Sequence, residues 1–132
     1  MSEGGSFPPR RVDKPWGYEL IWAHTDRYVG KILHIEKGEA LSLQYHQVKD
    51  ETLYILSGRL RLELGTTDDG PLSVLDLRPG EAIRLPAGTR HRLSAIEACD
   101  VLEASTPEID DVVRLADRYG RVDPPAARDR KP

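Results

Sequence analysis

Residues 59–64 read Arg59-Leu60-Arg61-Leu62-Glu63-Leu64, three leucines alternating with charged side chains. A period of two puts the leucines on one face of an extended chain and the charges on the other, the pattern of a strand with one face in a core and one in water. The same periodicity recurs in shorter runs on both sides. It predicts further strands over residues 18–23, 28–35, 41–46, 52–56, 72–77, 81–85, 91–95 and 101–104. Turn formers stand between them: Lys37-Gly38, Ser57-Gly58, Asp69-Gly70-Pro71, Pro79-Gly80 and Pro86-Ala87-Gly88. Short strands with turns at roughly 8–12 residue intervals predict an all-β sandwich or barrel. Residues 110–119 are open to two readings, a helix or a final strand through Val112, Val113 and Leu115.

A chain of 132 residues, 39% apolar and 31% charged, has the composition of one globular domain. Residues 1–13 and 122–132 are rich in Gly, Ser, Pro and charge and read as loose tails, which leaves 14–121 as the folded unit. Nineteen Lys and Arg against 22 Asp and Glu give a net charge of −3, which weighs against nucleic acid as a partner. No apolar run is long enough to cross a bilayer, and the first residues lack the apolar stretch of a signal peptide. A single cysteine, Cys99, cannot form an internal disulfide and suits a reducing compartment, so the expected location is the cytoplasm.

Four residues have the chemistry of metal ligands. Gln44 and His46 are two apart and share a strand face, Glu51 opens the next strand, and His91 follows the turn Pro86-Ala87-Gly88. If their strands face one another across a barrel, two imidazoles, a carboxylate and an amide oxygen converge. That set suits a divalent transition metal with positions left open for substrate. Residue type alone leaves the alternative standing, with surface histidines and a solvated loop glutamate. His24 and His34 receive no role.

The spacing is more specific. Residues 38–58, GEALSLQYHQVKDETLYILSG, resemble the first motif of the cupin superfamily: Gly, five residues, His, any, His, three or four residues, Glu, six residues, Gly. Gly38, Gln44, His46, Glu51 and Gly58 fall on its positions. Residues 80–95, GEAIRLPAGTRHRLSA, resemble the second motif through Gly80, Pro86, Gly88 and His91. Gln44 replaces the usual first histidine, and Ala95 replaces the usual terminal asparagine. The run Leu41-Ser42-Leu43-Gln44-Tyr45-His46 is similar to the metal-site segment of mannose-6-phosphate isomerases, which also carry glutamine there. Lys14-Pro15-Trp16-Gly17-Tyr18-Glu19 and residues 110–121 resemble the opening and closing segments of the type II isomerases. Those form the C-terminal cupin of bifunctional mannose-1-phosphate guanylyltransferase/mannose-6-phosphate isomerase proteins. The similarity covers residues 14–121, and no Gly-rich nucleotide loop of the transferase half is found.

The resemblance implies a single-domain cupin jelly-roll barrel, a metal held by Gln44, His46, Glu51 and His91, and a sugar-phosphate pocket at the barrel mouth. The amide oxygen of Gln44 is harder than imidazole, which favours Zn or Mn. Thr52 stands where type II enzymes often place histidine. The implied activity interconverts an aldose phosphate and a ketose phosphate through a metal-stabilised enediolate. For the base, Glu103 is a candidate if its strand turns it inward, and an outward solvated glutamate is the other reading. Lys31, Arg84 and Arg90 are candidates for binding the phosphate. Strand parity sets Arg92 opposite His91, and Ser42 shares the face of Gln44 and His46. Two other classes stay open: a cupin dioxygenase on His46, His91 and Glu51, and a non-catalytic metal- or sugar-binding module. Outward parity for Leu41, Leu43, Tyr45, Tyr54 and Leu56 predicts an apolar outer face and hence a homodimer.

Overall fold

The computed structural model describes residues 4–123. Its elements in chain order are β1 (Arg10–Lys14), β2 (Gly17–His24), β3 (Val29–Ile35), β4 (Leu43–Tyr45), β5 (Glu51–Gly65), β6 (Ser73–Leu77), β7 (Ala82–Leu85), β8 (Arg90–Ser105) and β9 (Val113–Ala116). No helix occurs among the described residues. The stretch open to two readings is therefore a strand, β9.

Two long strands organise the barrel. β5 and β8 lie antiparallel from Glu51 opposite Ser105 to Gly65 opposite Arg90. On its other edge, β8 pairs first with β4 and then with β3, while β5 pairs with β7 and β6. The strand order β1-β2-β3-β8-β4-β9 folds across the bend in β8, so the two halves of the sheet face each other. Between them lie Leu33, Ile35, Leu53, Ile55, Leu60, Leu62, Leu93 and Val101. Leu60 and Leu62 are fully buried, as the alternation in residues 59–64 requires. On the opposite face, Arg59 and Arg61 meet Asp76 across the ladder.

The predicted turn at Ser57-Gly58 is a bulge within one continuous strand. Gly58 has φ +85°, and a Cβ there would stand 2.1 Å from the Ala98 carbonyl oxygen. The register shifts between Ile55, Ser57 and Arg59, so β5 bends with β8 instead of reversing. Strands expected over 52–56 and 59–64 are thus one, as are those expected over 91–95 and 101–104.

Residues 10–13 of the expected N-terminal tail belong to a strand instead, because Arg10–Lys14 pairs with β2 at the edge of the sheet, and residues 1–3 of that tail lie outside the described residues. At the other end, Asp123 accepts the Arg114 N–H at 2.7 Å and donates its own to the Arg114 carbonyl. The remainder of the expected 122–132 tail lies outside the described residues. Leu41 does not project outward, since it precedes β4, outside its alternation, and packs in the core. Tyr45 keeps the face opposite Gln44 but is buried there beneath the Arg90 guanidinium at 3.7 Å, so it adds nothing to an exposed apolar face. Tyr54 and Leu56 are exposed.

Candidate metal centre

The local chain explains why the ligand candidates meet. Gln44 on β4 pairs directly with His91 at the start of β8. The turn Pro86-Ala87-Gly88 closes onto His46, the Gly88 N–H donating to its carbonyl at 2.8 Å. The loop from His46 to Glu51 is held by Asp111, which also lines the cavity. Its carboxylate accepts the N–H groups of Gln47, Val48 and Lys49 at 3.0, 2.8 and 2.9 Å. Burial works to raise the Asp111 carboxyl, but these three donors and the nearby His46 hold it below the ordinary value. The Asp111 carbonyl also accepts from His46 Nδ1.

His46, Glu51 and His91 form a buried cluster whose ligand atoms lie within 4.8 Å of one another. Glu51 Oε1 is 3.6 Å from His46 Nε2 and 3.3 Å from His91 Nε2. Ligands each about 2.1 Å from one metal ion stand roughly 3.0–3.4 Å apart, so the spacing suits such an ion. The donor chemistry points the same way. His91 Nδ1 donates to the Thr89 carbonyl at 2.9 Å and His46 Nδ1 to that of Asp111. A neutral imidazole has one N–H, so both Nε2 atoms turn lone pairs toward a carboxylate oxygen. Three electron pairs converging in a buried site call for a cation between them.

The second oxygen of Glu51 is also committed. Lys49 Nζ lies 3.1 Å from Glu51 Oε2 and 3.0 Å from Glu103 Oε2, and Ser105 Oγ donates to that same Glu103 oxygen at 3.0 Å. Burial opposes charge on Lys49, yet Glu103 and Glu51 outweigh it and hold the ammonium above the ordinary lysine value. Burial likewise opposes charge on Glu51, yet its carboxyl lies well below the usual range, the Lys49 ammonium beside it favouring the carboxylate.

These groups line a cavity of about 300 Å³. Gln44, Ser42, Lys31 and Glu103 line it too, with Ser42, Lys31 and Glu103 buried. The side-chain amide of Gln44 makes no hydrogen bond to another described residue, which leaves its oxygen available as a ligand. Arg84 and Arg90 do not line the cavity. Arg84 clamps Asp50 on the outer surface with contacts of 3.1 and 2.9 Å, and Arg90 is spent on Asp68, Gly88 and the Tyr45 ring. Arg92, as parity requires, faces away and pairs with Glu63 at 2.8 Å. Thr52 is exposed on the outer face.

Sequence reasoning missed Lys49, Asp111, Arg10, Lys14 and Arg114, all of which line the cavity. For Lys49 a signal was available, since it stands two residues before Glu51 and shares its parity in an extended chain.

The cupin domain family matches residues 31–104, a span that contains His46, Glu51 and His91. The chain belongs to the cupin family. This cupin is 38% identical over 119 residues to the mannose-1-phosphate guanylyltransferase of Escherichia coli (strain K12), a match covering 86% of this chain and 23% of that protein. It is 32% identical over 118 residues to the xanthan biosynthesis protein XanB of Xanthomonas campestris pv. campestris, covering 85% of this chain and 24% of that one. The cupin therefore spans about a quarter of the length of these curated relatives. Among solved structures, KdgF from Halomonas sp. superposes with a TM-score of 0.65 at 25% identity, over 76% of this chain and 90% of that one. Oxalate decarboxylase from Bacillus subtilis superposes at 0.70 and 15% identity, over 86% of this chain and 34% of that one, a likeness of fold. The expected jelly-roll is the fold observed.

Proposed function

We propose that this cupin is a metal-dependent sugar-phosphate isomerase of the mannose-6-phosphate isomerase kind. The observation that carries this reading is a carboxylate beside the ligand cluster with one oxygen uncommitted. Glu103 Oε2 is held by Lys49 and Ser105, whereas Oε1 has no partner among the described residues. A carboxylate fixed by one oxygen and free at the other is built to take a proton and return it nearby. Similarity to mannose-1-phosphate guanylyltransferases supports a mannose phosphate as the sugar.

A Zn or Mn ion held by His46, Glu51, His91 and the amide oxygen of Gln44 would supply the Lewis acidity that an enediolate needs. Glu103 Oε1 takes the proton from C2 of the aldose and delivers it to C1, while the proton of the C2 hydroxyl passes to the C1 oxygen. Lys49 prevents the carboxylate from swinging away and balances its charge in the buried site. Ser42 stands on the cavity wall to donate to a sugar oxygen, and Leu33, Leu41, Leu53 and Leu93 form an apolar floor that keeps water from the carbon acid. A sugar-phosphate substrate and the lone reduced Cys99 fit a cytoplasmic protein.

A homodimer is expected through the outer face of the sheet. Leu20, Ile32, Leu102 and Tyr54 stand side by side across four strands there, with Leu56 beside them 52% exposed. Sedimentation at micromolar concentration tests it, and a monomeric mass would count against it.

The activity test follows mannose 6-phosphate by NMR in D2O with metal-loaded protein. Ketose phosphate is expected to appear, with solvent deuterium at C1 only in the fraction where the Glu103 proton exchanges before its transfer. Glu103→Gln is expected to slow it at least 100-fold with metal content unchanged. Oxygen uptake with an iron-loaded sample would favour a dioxygenase. Sugar binding without turnover would favour a non-catalytic module, and either result would overturn the isomerase reading.

A further inference from the structure

β1 runs through residues whose composition predicts a tail, and its cavity face is cationic. Arg10, Val12 and Lys14 share one face by period two and line the cavity. Arg11 and Asp13 alternate to the outside, where they pair with each other at 3.0 Å and Arg11 covers the Tyr18 ring. At the far end of the strand order, β9 brings Arg114 to the same cavity. The strands at the two ends of this order, β1 and β9, thus present positive charge to one opening.

The other cations in this region are neutralised in place. Lys31 meets Glu19 at 3.4 Å, Lys49 lies between Glu51 and Glu103, and Arg121 is held by Asp117 at 2.9 Å. Arg84, Arg90 and Arg92 are paired with Asp50, Asp68 and Glu63. By contrast, the side chains of Arg10, Lys14 and Arg114 have no carboxylate partner among the described residues. Two aspartates also line the opening. The Asp111 carboxylate is occupied by three backbone N–H groups, and Asp110 is exposed with no ion pair among the described residues. In a chain of net charge −3, three unneutralised cations around one polar cavity form a local site for an anion.

We propose that Arg10, Lys14 and Arg114 form the subsite that grips a phosphoryl group, setting the sugar end of the ligand toward Glu103 and the ligand cluster. Two guanidinium forks and one ammonium suit the geometry and the double charge of a phosphate monoester. That the phosphate belongs to a sugar rests on the isomerase reading above; the anion site itself rests on the unpaired cations.

The test measures inorganic phosphate binding to the full chain by calorimetry, alongside isomerase KM and kcat. Variants are Arg10→Gln, Lys14→Gln and Arg114→Gln, with Arg10→Lys and Arg114→Lys as charge-keeping controls. Circular dichroism and metal content confirm that each variant is folded and loaded. Each charge removal is expected to weaken phosphate binding by about tenfold or more and to raise KM for mannose 6-phosphate similarly, with kcat little changed. The lysine controls should retain most of the affinity. Failure of the parent to bind phosphate, or unchanged binding in the Arg10→Gln/Lys14→Gln double variant, would overturn the subsite. If the parent binds phosphate and the variants lose it while no ketose forms, the subsite stands and the isomerase reading falls. If turnover persists with unchanged KM, the reverse holds.

Discussion

Asp111→Asn removes a single charge and changes almost no volume, yet it strikes the group that shapes the metal-side loop. The carboxylate accepts three backbone N–H groups, from Gln47, Val48 and Lys49, at 2.8 to 3.0 Å. A hydrogen bond to a charged acceptor contributes about 1.5–3 kcal/mol. Water reaches the exposed Val48, and the new amide keeps one acceptor oxygen, so roughly half of the total is lost, about 2–4 kcal/mol. In a domain of this size that lowers Tm by roughly 8–16 °C. The backbone carbonyl that orients His46 survives the change, but its loop is loosened, and metal affinity should fall about tenfold or more. The assay is thermal unfolding of chelated parent and variant, so that metal binding does not enter Tm, followed by metal titration of each. Acid should close the gap. The folded Asp111 carboxyl sits below its ordinary value of 3.8, so its contribution is complete above that pH and disappears as pH falls through the lower folded value. Melting temperatures within about 2 °C at pH 7, with equal metal affinity, would refute the role given to Asp111.

Other substitutions probe the cluster and the frame. His46→Ala and Glu51→Ala should each lower metal content sharply, with the double variant little worse, as measured by elemental analysis. Gln44→His should hold or raise metal affinity and lower turnover, because imidazole donates more strongly and leaves a poorer Lewis acid; Gln44→Ala should weaken binding in the same titration. Gly58→Ala must fit a Cβ 2.1 Å from a backbone oxygen at φ +85°, and should cost about 3 kcal/mol or more in urea unfolding. Burial pushes the Cys99 thiol up to about 11, leaving roughly one part in a thousand as thiolate at pH 8, so iodoacetamide should label it only after unfolding.

The elements legible in the sequence were those with one face in an apolar core. Leu60 and Leu62 alternate with charges because they face the apolar core, which also holds Leu53 and Leu93, rather than water, and the strand reads directly from that contrast. β1 hid because its inner face meets a polar cavity: Arg10 and Lys14 flank Val12, and the alternation is charge against charge. Ser57-Gly58 reads alike for a turn and for a bulge, and only the approach of Ala98 from β8 decides between them. The ligand candidates were legible through spacing within short segments. What lay beyond was the pairing of charges distant in the chain. Arg84 and Arg90 are drawn away by Asp50 and Asp68, while Lys49 is drawn in by Glu103, more than fifty residues on. The hold of Asp111 on residues 47–49 spans more than sixty residues and leaves no local pattern.

The most direct measurement counts metal and turnover on the same samples. Parent protein would be assayed on mannose 6-phosphate as purified, after chelation, and after reloading with Zn or Mn, beside a His91→Ala sample treated identically. The account predicts about one ion per parent chain, ketose formation that falls with the ion and returns with it, and neither property in the variant. A parent that holds its ion through His46, Glu51 and His91 and forms no ketose, or one that turns over undiminished with the ion removed, would contradict it.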